Sequence, residues 1–149
     1  MTLDPIEDES LGDAISILSR GFPARPLSFW KESIERLAAY RRATGGPPIG
    51  RLMTVEGRRV GVILTIASKH LSGEHQRDVV NLSSWYVQDE YRWLAPLMLE
   101  RIVADDTVVF TDLSPSPQTA RLNERFGFHT AAEGLRLHFL PWTALGSRS

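Results

Sequence analysis

Two side chains that could move a proton stand near the ends of apolar runs: Tyr86 in the run Val79 to Val87, and Asp112 in the run Thr107 to Leu113. A phenol or carboxyl group held in a cleft can act as general acid or base if it comes within hydrogen-bond reach of the reacting atom. Each has a plainer use, which is the one expected: Tyr86 packs by its ring and bonds its hydroxyl locally, and Asp112 caps the turn before Pro115. Ser83 and Ser84 lack a Gly-x-Ser-x-Gly elbow, and no histidine has a triad context, so a serine nucleophile is not indicated. His70, His75, His129 and His138 have no metal-ligand spacing, and no metal is expected. Trp30, Trp85, Trp93 and Trp142 could shape an apolar or aromatic pocket, although core packing is the commoner use of tryptophan.

Composition narrows the chemistry further. With 149 residues, 42% hydrophobic and 23% charged, the chain fits one globular domain, residues 1–149. At that length roughly 70% of the unfolded surface can be buried. There is no cysteine, which removes disulfides, thiolate metal sites and thiol nucleophiles. A net charge of -1 supplies no field that would draw the chain to nucleic acid or an anionic membrane. Asp4, Glu7, Asp8 and Glu9 make the first ten residues too acidic for a signal peptide, so the expected location is cytoplasmic. Lys31 and Lys69 are the sole lysines among 17 basic residues; genome composition explains that excess of arginine as well as anion recognition does.

The elements that must hold these residues can be read from periodicity. Residues 2 to 6 can form a short strand, and Ser10 stands where it would cap a helix with apolar positions Leu11, Ala14, Ile15 and Leu18, ended by Gly21 and Pro23. A second helix from Ser28 buries Trp30, Ile34, Leu37 and Ala38. Arg51 to Val55 and Val60 to Ile66 form a hairpin turning at Gly57, and the second arm is apolar at successive positions, as a strand buried on both faces requires. The polar stretch Ser68 to Asp78 reads as a connection to a strand over Val79 to Val87. Helical spacing resumes at Leu94, Leu97, Met98, Ile102 and Val103, followed by a strand over Thr107 to Leu113. A helix opened by Pro115 or Pro117 carries Leu122 and Phe126 and closes at Gly127; Leu135, Leu137 and Phe139 then alternate in a half-exposed strand. This order predicts a mixed sheet with helices on both faces, in which the strands near 79–87 and 107–113 lie parallel, joined by the helix from about Leu94 to Ala104.

Two motifs carry a resemblance. Leu82 to Val87 is an apolar strand ending in valine, followed by the acidic turn Gln88 to Tyr91, by Arg92 and by an apolar helix; Ser116 to Phe128 is a helix ending in the pair Gly127-Phe128. Together, over residues 82 to 128, they resemble the GNAT N-acetyltransferase superfamily, with which the element order agrees over nearly the whole chain. The resemblance implies an α/β (α+β) fold, a mixed and mostly antiparallel sheet whose parallel strand pair splays at a coenzyme A site. It implies that the backbone of Trp85, Tyr86 and Val87 pairs with the pantetheine arm of acetyl-CoA or another acyl-CoA, and that Arg92 with the amides of Trp93, Leu94 and Ala95 serves the pyrophosphate.

The sequence departs from that family at particular places. Where a glycine-rich loop is usual it has Arg92 to Leu97 without glycine, and with the bulky Trp93 and the N–H-less Pro96. Asn123 stands where a tyrosine acid is frequent, and Asn81 where some members have a glutamate base; neither titrates. Tyr86, Asp112 and Asn123 are therefore the candidate catalytic group, and Arg25, Phe29 and Trp30, near the join of the first two helices, are the candidate acceptor-binding group. The implied activity is transfer of an acetyl or longer acyl group from acyl-CoA to an amine. The alternative is a catalytically inactive module of the same fold that binds CoA thioesters or a protein partner. A homodimer is left open.

Overall fold

The successive apolar or small positions Val60 to Leu64 leave a strand no face to show to water, and in the computed structural model they form the buried middle of the sheet. The structure describes residues 1–72 and 75–131, and for residues 70–72, 75 and 76 the backbone alone. The elements run β1 (Thr2–Pro5), α1 (Leu11–Gly21), α2 (Leu27–Thr44), β2 (Gly50–Val55), β3 (Arg58–Ser72), β4 (His75–Val87), α3 (Ala95–Ile102), β5 (Val109–Asp112) and α4 (Pro117–Arg125). A 3-10 turn precedes α1 at Asp8–Ser10 and another precedes α3 at Asp89–Leu94. Among the described residues the strand order is β1-β2-β3-β4-β5, antiparallel throughout except for the parallel pair β4–β5. The predicted mixed sheet is therefore present, with α3 connecting its parallel strands.

Alternation along β3 divides the interior in two. Val62 and Leu64 pack with Ile6, Leu52 and the α1–α2 residues Ala14, Ile17, Leu18, Trp30, Ile34 and Ala38. Ile63 turns to the other face and packs with Met53, Leu82, Val87 and the α3 residues Met98 and Leu99, with Leu122 and Phe126 of α4 at the margin. Burying an aliphatic side chain of this size stabilises by about 1.5–3 kcal/mol. A one-residue slip of β3 would exchange its two faces, so the register is strongly held. The β2–β3 connection is the tight turn expected at Gly57: Glu56 and Gly57 both have positive φ, 49° and 76°, which matches the twist of the flanking strands.

Three expectations differ in detail. Ser68 to Ser72 and His75 to Asp78 are strand rather than connection: β3 and β4 continue as a two-stranded ribbon, pairing Ser68 with Val79 and Lys69 with Asp78. Neither β2, whose pairing with β3 ends at Leu64, nor β5, whose pairing with β4 begins at Val79, accompanies that ribbon. Ser68, Lys69, Arg77 and Asp78 are polar and exposed while their backbones pair. Ser10 does not cap α1; its Oγ accepts the Glu7 N–H (3.0 Å) and donates to the Glu7 carbonyl (3.1 Å), closing the 3-10 turn. The strand expected from Thr107 begins at Val109, because Asp105 Oδ1 accepts both the Thr107 N–H (3.0 Å) and its hydroxyl (2.6 Å) and holds that residue in a turn. The strand expected over Leu135 to Phe139, with His138 and Trp142, lies outside the described residues.

Candidate active site

The site begins where two strands part. Among the described residues β4 and β5 pair from Val79–Val109 to Leu82–Asp112 and no further, while β4 runs on to Val87 against β3 alone. At the point of parting β4 carries a bulge: Ser83 faces Leu64 and Trp85 faces Ile63, so Ser84 is an extra residue. A bulge bends its strand and raises its twist. It also explains why Leu82 and Trp85, three residues apart, pack on the same face. Beyond it the Gln88 N–H donates to the Val60 carbonyl of β3 (2.9 Å). Backbone polarity alternates along a strand, so the Tyr86 backbone is directed to Val62, and the N–H and C=O of Trp85 and Val87 face the gap that β5 has left. An open strand edge of this kind binds an extended, amide-bearing ligand.

The far wall is α4, and local sequence sets it there. Ser116 Oγ accepts the Thr119 N–H (3.1 Å) as an N-cap, Pro117 opens the helix, and Gly127, with φ 84°, follows its end. Asn123, 3% exposed, ties the helix to β5: its Nδ2 donates to Asp112 Oδ2 (3.0 Å). The other carboxylate oxygen of Asp112 accepts the Ser114 N–H (3.4 Å). The structure thus brings Asp112 and Asn123 together as a hinge between strand and helix. Asn123 Oδ1 has no partner among the described residues. Asn81, the other site where a titratable group would be looked for, accepts the Thr111 hydroxyl across the parallel pair (3.2 Å).

The near wall is the Asp89–Leu94 turn running into α3. Its chain folds as a 3-10 turn, in which the Tyr91 N–H donates to the Gln88 carbonyl (2.9 Å) and the Ala95 N–H donates to the Arg92 carbonyl. Pro96 in the first turn of α3 has no N–H. Trp93 projects into solvent, 74% exposed, whereas Leu94 is buried in the core. Arg92 reaches the site but pairs with Asp89 on the surface.

Between the walls lies a cleft of about 480 Å³, lined by Trp85, Tyr86 and Val87 from β4, by Arg92, Ala95 and Pro96, and by Gln118, Thr119, Arg121, Leu122 and Arg125 from α4. That volume lies in the range of small-molecule sites, about 300–1,000 Å³. Among the described residues the lining holds three arginines and no carboxylate, so it favours an anion. A larger hollow of about 720 Å³, lined by Leu3, Thr65, Val80, Phe110, Arg51 and Arg101 among others, lies where β4 and β5 are still paired, before they part. Of the seven residues expected to hold the coenzyme, Trp85, Tyr86, Val87, Arg92 and Ala95 line the cleft, and Trp93 and Leu94 do not. The α4 residues escaped the sequence reading. The available signal was Gln118, Arg121, Leu122 and Arg125 at positions i, i+3, i+4 and i+7, one face of a helix.

Tyr86 lies at the border of the cleft and the α1–α2 layer. Its ring rests on Gly21 so closely that a Cβ there would stand 2.2 Å from Tyr86 Cγ, which leaves glycine as the residue that fits the end of α1. From it an aromatic series leads outward: Phe22 edge-on at 6.4 Å, Trp30 at 5.4 Å from Phe22, and Phe29 edge-on at 5.0 Å from Trp30. The Arg25 guanidinium covers the Phe29 ring at 5.1 Å. Arg25 and Phe29 reach solvent, while Trp30 is 4% exposed and serves the core. Among the described residues no three His, Cys, Asp or Glu side chains come together as a metal set, and no helix is long and apolar enough to cross a membrane.

No protein-family model matches the sequence, and no curated protein matches it. Solved structures do. A predicted acetyltransferase from Clostridium acetobutylicum, crystallised with acetyl-CoA, is similar with a TM-score of 0.70 and 14% identity over 92% of this chain and 95% of that one. An aminoglycoside antibiotic 6'-N-acetyltransferase from Acinetobacter haemolyticus, in its apo form, gives a TM-score of 0.67 at 12% identity, over 95% of this chain and 99% of its own. AAC(6')-Iy in complex with the bisubstrate analogue CoA-S-monomethyl-acetylneamine gives 0.65 at 12% identity, over 94% and 98%. The chain has the acyl-CoA N-acyltransferase fold of the GNAT proteins.

Proposed function

We propose that this chain is an acyltransferase that moves an acetyl or longer acyl group from acyl-CoA to an amine, with the CoA thioester held in the cleft between β4 and α4. The observation that carries the reading is the end of β4–β5 pairing at Leu82–Asp112 while β4 continues to Val87. That leaves the backbone of Trp85 and Val87 for the amides of a pantetheine arm, and the arginine-lined outer cleft suits the anionic remainder of the coenzyme. The neighbours crystallised with acetyl-CoA and with a CoA bisubstrate analogue support the same ligand class.

The chemistry asks little of the protein beyond placement. An amine nitrogen bonds to the thioester carbonyl carbon, the carbon–sulfur bond breaks, the sulfur leaves as a thiol with one proton, and the new amide nitrogen has lost one. Among the described cleft-lining residues Tyr86 is the one whose group can give and retake a proton, so it is assigned to the leaving sulfur. Asn123 positions Asp112 rather than transferring a proton. Arg25 and Phe29, at the solvent end of the aromatic series from Tyr86, are assigned to the acceptor.

A catalytically inactive module binding CoA thioesters is the second reading, and the engagement of Asp112 and Asn123 with each other favours it. Calorimetry with acetyl-CoA followed by thiol release across an amine panel tests both. Binding with turnover on any amine is expected; binding with no turnover throughout the panel would leave the inactive module, and no binding would end both readings.

A further inference from the structure

Resting on the reading of the cleft as a CoA thioester site, we propose that the ligand's diphosphate is gripped by the α4 side chains Arg121 and Arg125, in place of backbone amides at the start of α3. The near wall has little to offer an anion. The Ala95 amide is bonded to the Arg92 carbonyl, Pro96 has no N–H, and neither Trp93 nor Leu94 lines the cleft. Arg92 is already paired with Asp89, and both side chains are exposed, 58% and 78%.

The far wall is the reverse. Arg121 and Arg125 stand four residues apart and both line the cleft. Like charges at that spacing oppose each other on a bare helix by about 0.2–0.5 kcal/mol, and an anion bridging them removes that cost. None of the ion pairs among the described residues engages either one. Arg125 lies in the last turn of α4, where the helix dipole alone would favour a cation, but Arg121 lies too far from the end to have that explanation. Gln118, one turn earlier on the same face, adds an amide donor to the lining. Two guanidinium forks match phosphate oxygens bidentately, which a point charge does not. This arrangement accounts for a site whose anion loop has no glycine: recognition has moved across the cleft, from main chain to side chain.

The test is calorimetric titration at low salt of wild type, of the double variant Arg121→Gln/Arg125→Gln and of Arg92→Gln, each with acetyl-CoA and with S-acetylpantetheine, which lacks the diphosphate. The double variant is expected to lose about ten- to a hundredfold in acetyl-CoA affinity while its S-acetylpantetheine affinity is unchanged, and Arg92→Gln is expected to lose less. Unchanged S-acetylpantetheine binding also shows that the variant is folded. Should the double variant not fold, Arg121→Gln and Arg125→Gln singly read the same ratio. Acetyl-CoA affinity of the double variant within about twofold of wild type, or a larger loss in Arg92→Gln, overturns the proposal while leaving the acyltransferase reading standing. Failure of the wild type to bind either ligand overturns that reading and the proposal with it.

Discussion

The near and far walls of the cleft are built from the same kinds of part, a short connection leading into a helix, and they use their polar groups in opposite ways. On the near wall the main chain bonds to itself: Gln88 with Tyr91 and Arg92 with Ala95 close a 3-10 turn, and the one arginine is tied to Asp89. On the far wall Ser116 caps α4, Asn123 anchors it to Asp112, and Arg121 and Arg125 are presented to the cleft. A backbone anion site needs a connection loose enough to leave amides unbonded, which glycine permits; here the Ala95 amide is bonded and Pro96 has none. A helix anchored at one end can supply the charge instead.

If β4 supplies the chemistry and α4 the grip, the largest effect belongs to Tyr86→Phe. We expect kcat to fall by about a hundredfold or more, the usual worth of a positioned general acid, with acetyl-CoA affinity unchanged because the ring still rests on Gly21 and Phe22. Steady-state thiol release beside calorimetry measures both; a wild-type rate would place the proton donor elsewhere.

Asn123→Ala breaks the anchor. It removes the donor to Asp112 and should destabilise the fold by about 1–3 kcal/mol in urea titration, while a measurable rate survives because asparagine transfers no proton. Loss of all turnover with stability and coenzyme affinity intact would make Asn123 a transition-state hydrogen-bond donor instead. Arg92→Ala is the smallest change. An exposed ion pair is worth about 0–1 kcal/mol, so stability should scarcely move, and acetyl-CoA affinity should drop by no more than about tenfold.

Periodicity made the scaffold legible. Helical spacing located α1 to α4, the apolar run Val60 to Leu64 located the strand buried on both faces, and the strand-helix-strand order anticipated the parallel pair. The pairing of Ser68 and Lys69 with Val79 and Asp78 was hidden because strand pairing is a main-chain property, which polar side chains do not report. In the cleft, Trp85, Tyr86, Val87 and Arg92 were legible because they lie together along the chain. Arg121 and Arg125 come from a separate element, and their approach depends on the Asn123–Asp112 bond and on the bulge at Ser84, neither of which has a local sequence signature. Likewise, nothing in the spelling of Arg92 to Leu97 showed that the Ala95 amide would close on the Arg92 carbonyl.

The proposed function requires the open edge of β4 to receive the coenzyme. Amide hydrogen exchange resolved to single residues, with and without saturating acetyl-CoA, tests it most directly. Exchange at the Trp85 and Val87 amides should slow on binding, while the Tyr91 and Ala95 amides, bonded within their turn already, keep their rates. Unchanged exchange at Trp85 and Val87 with the ligand bound, or new protection confined to the turn before α3, would contradict it.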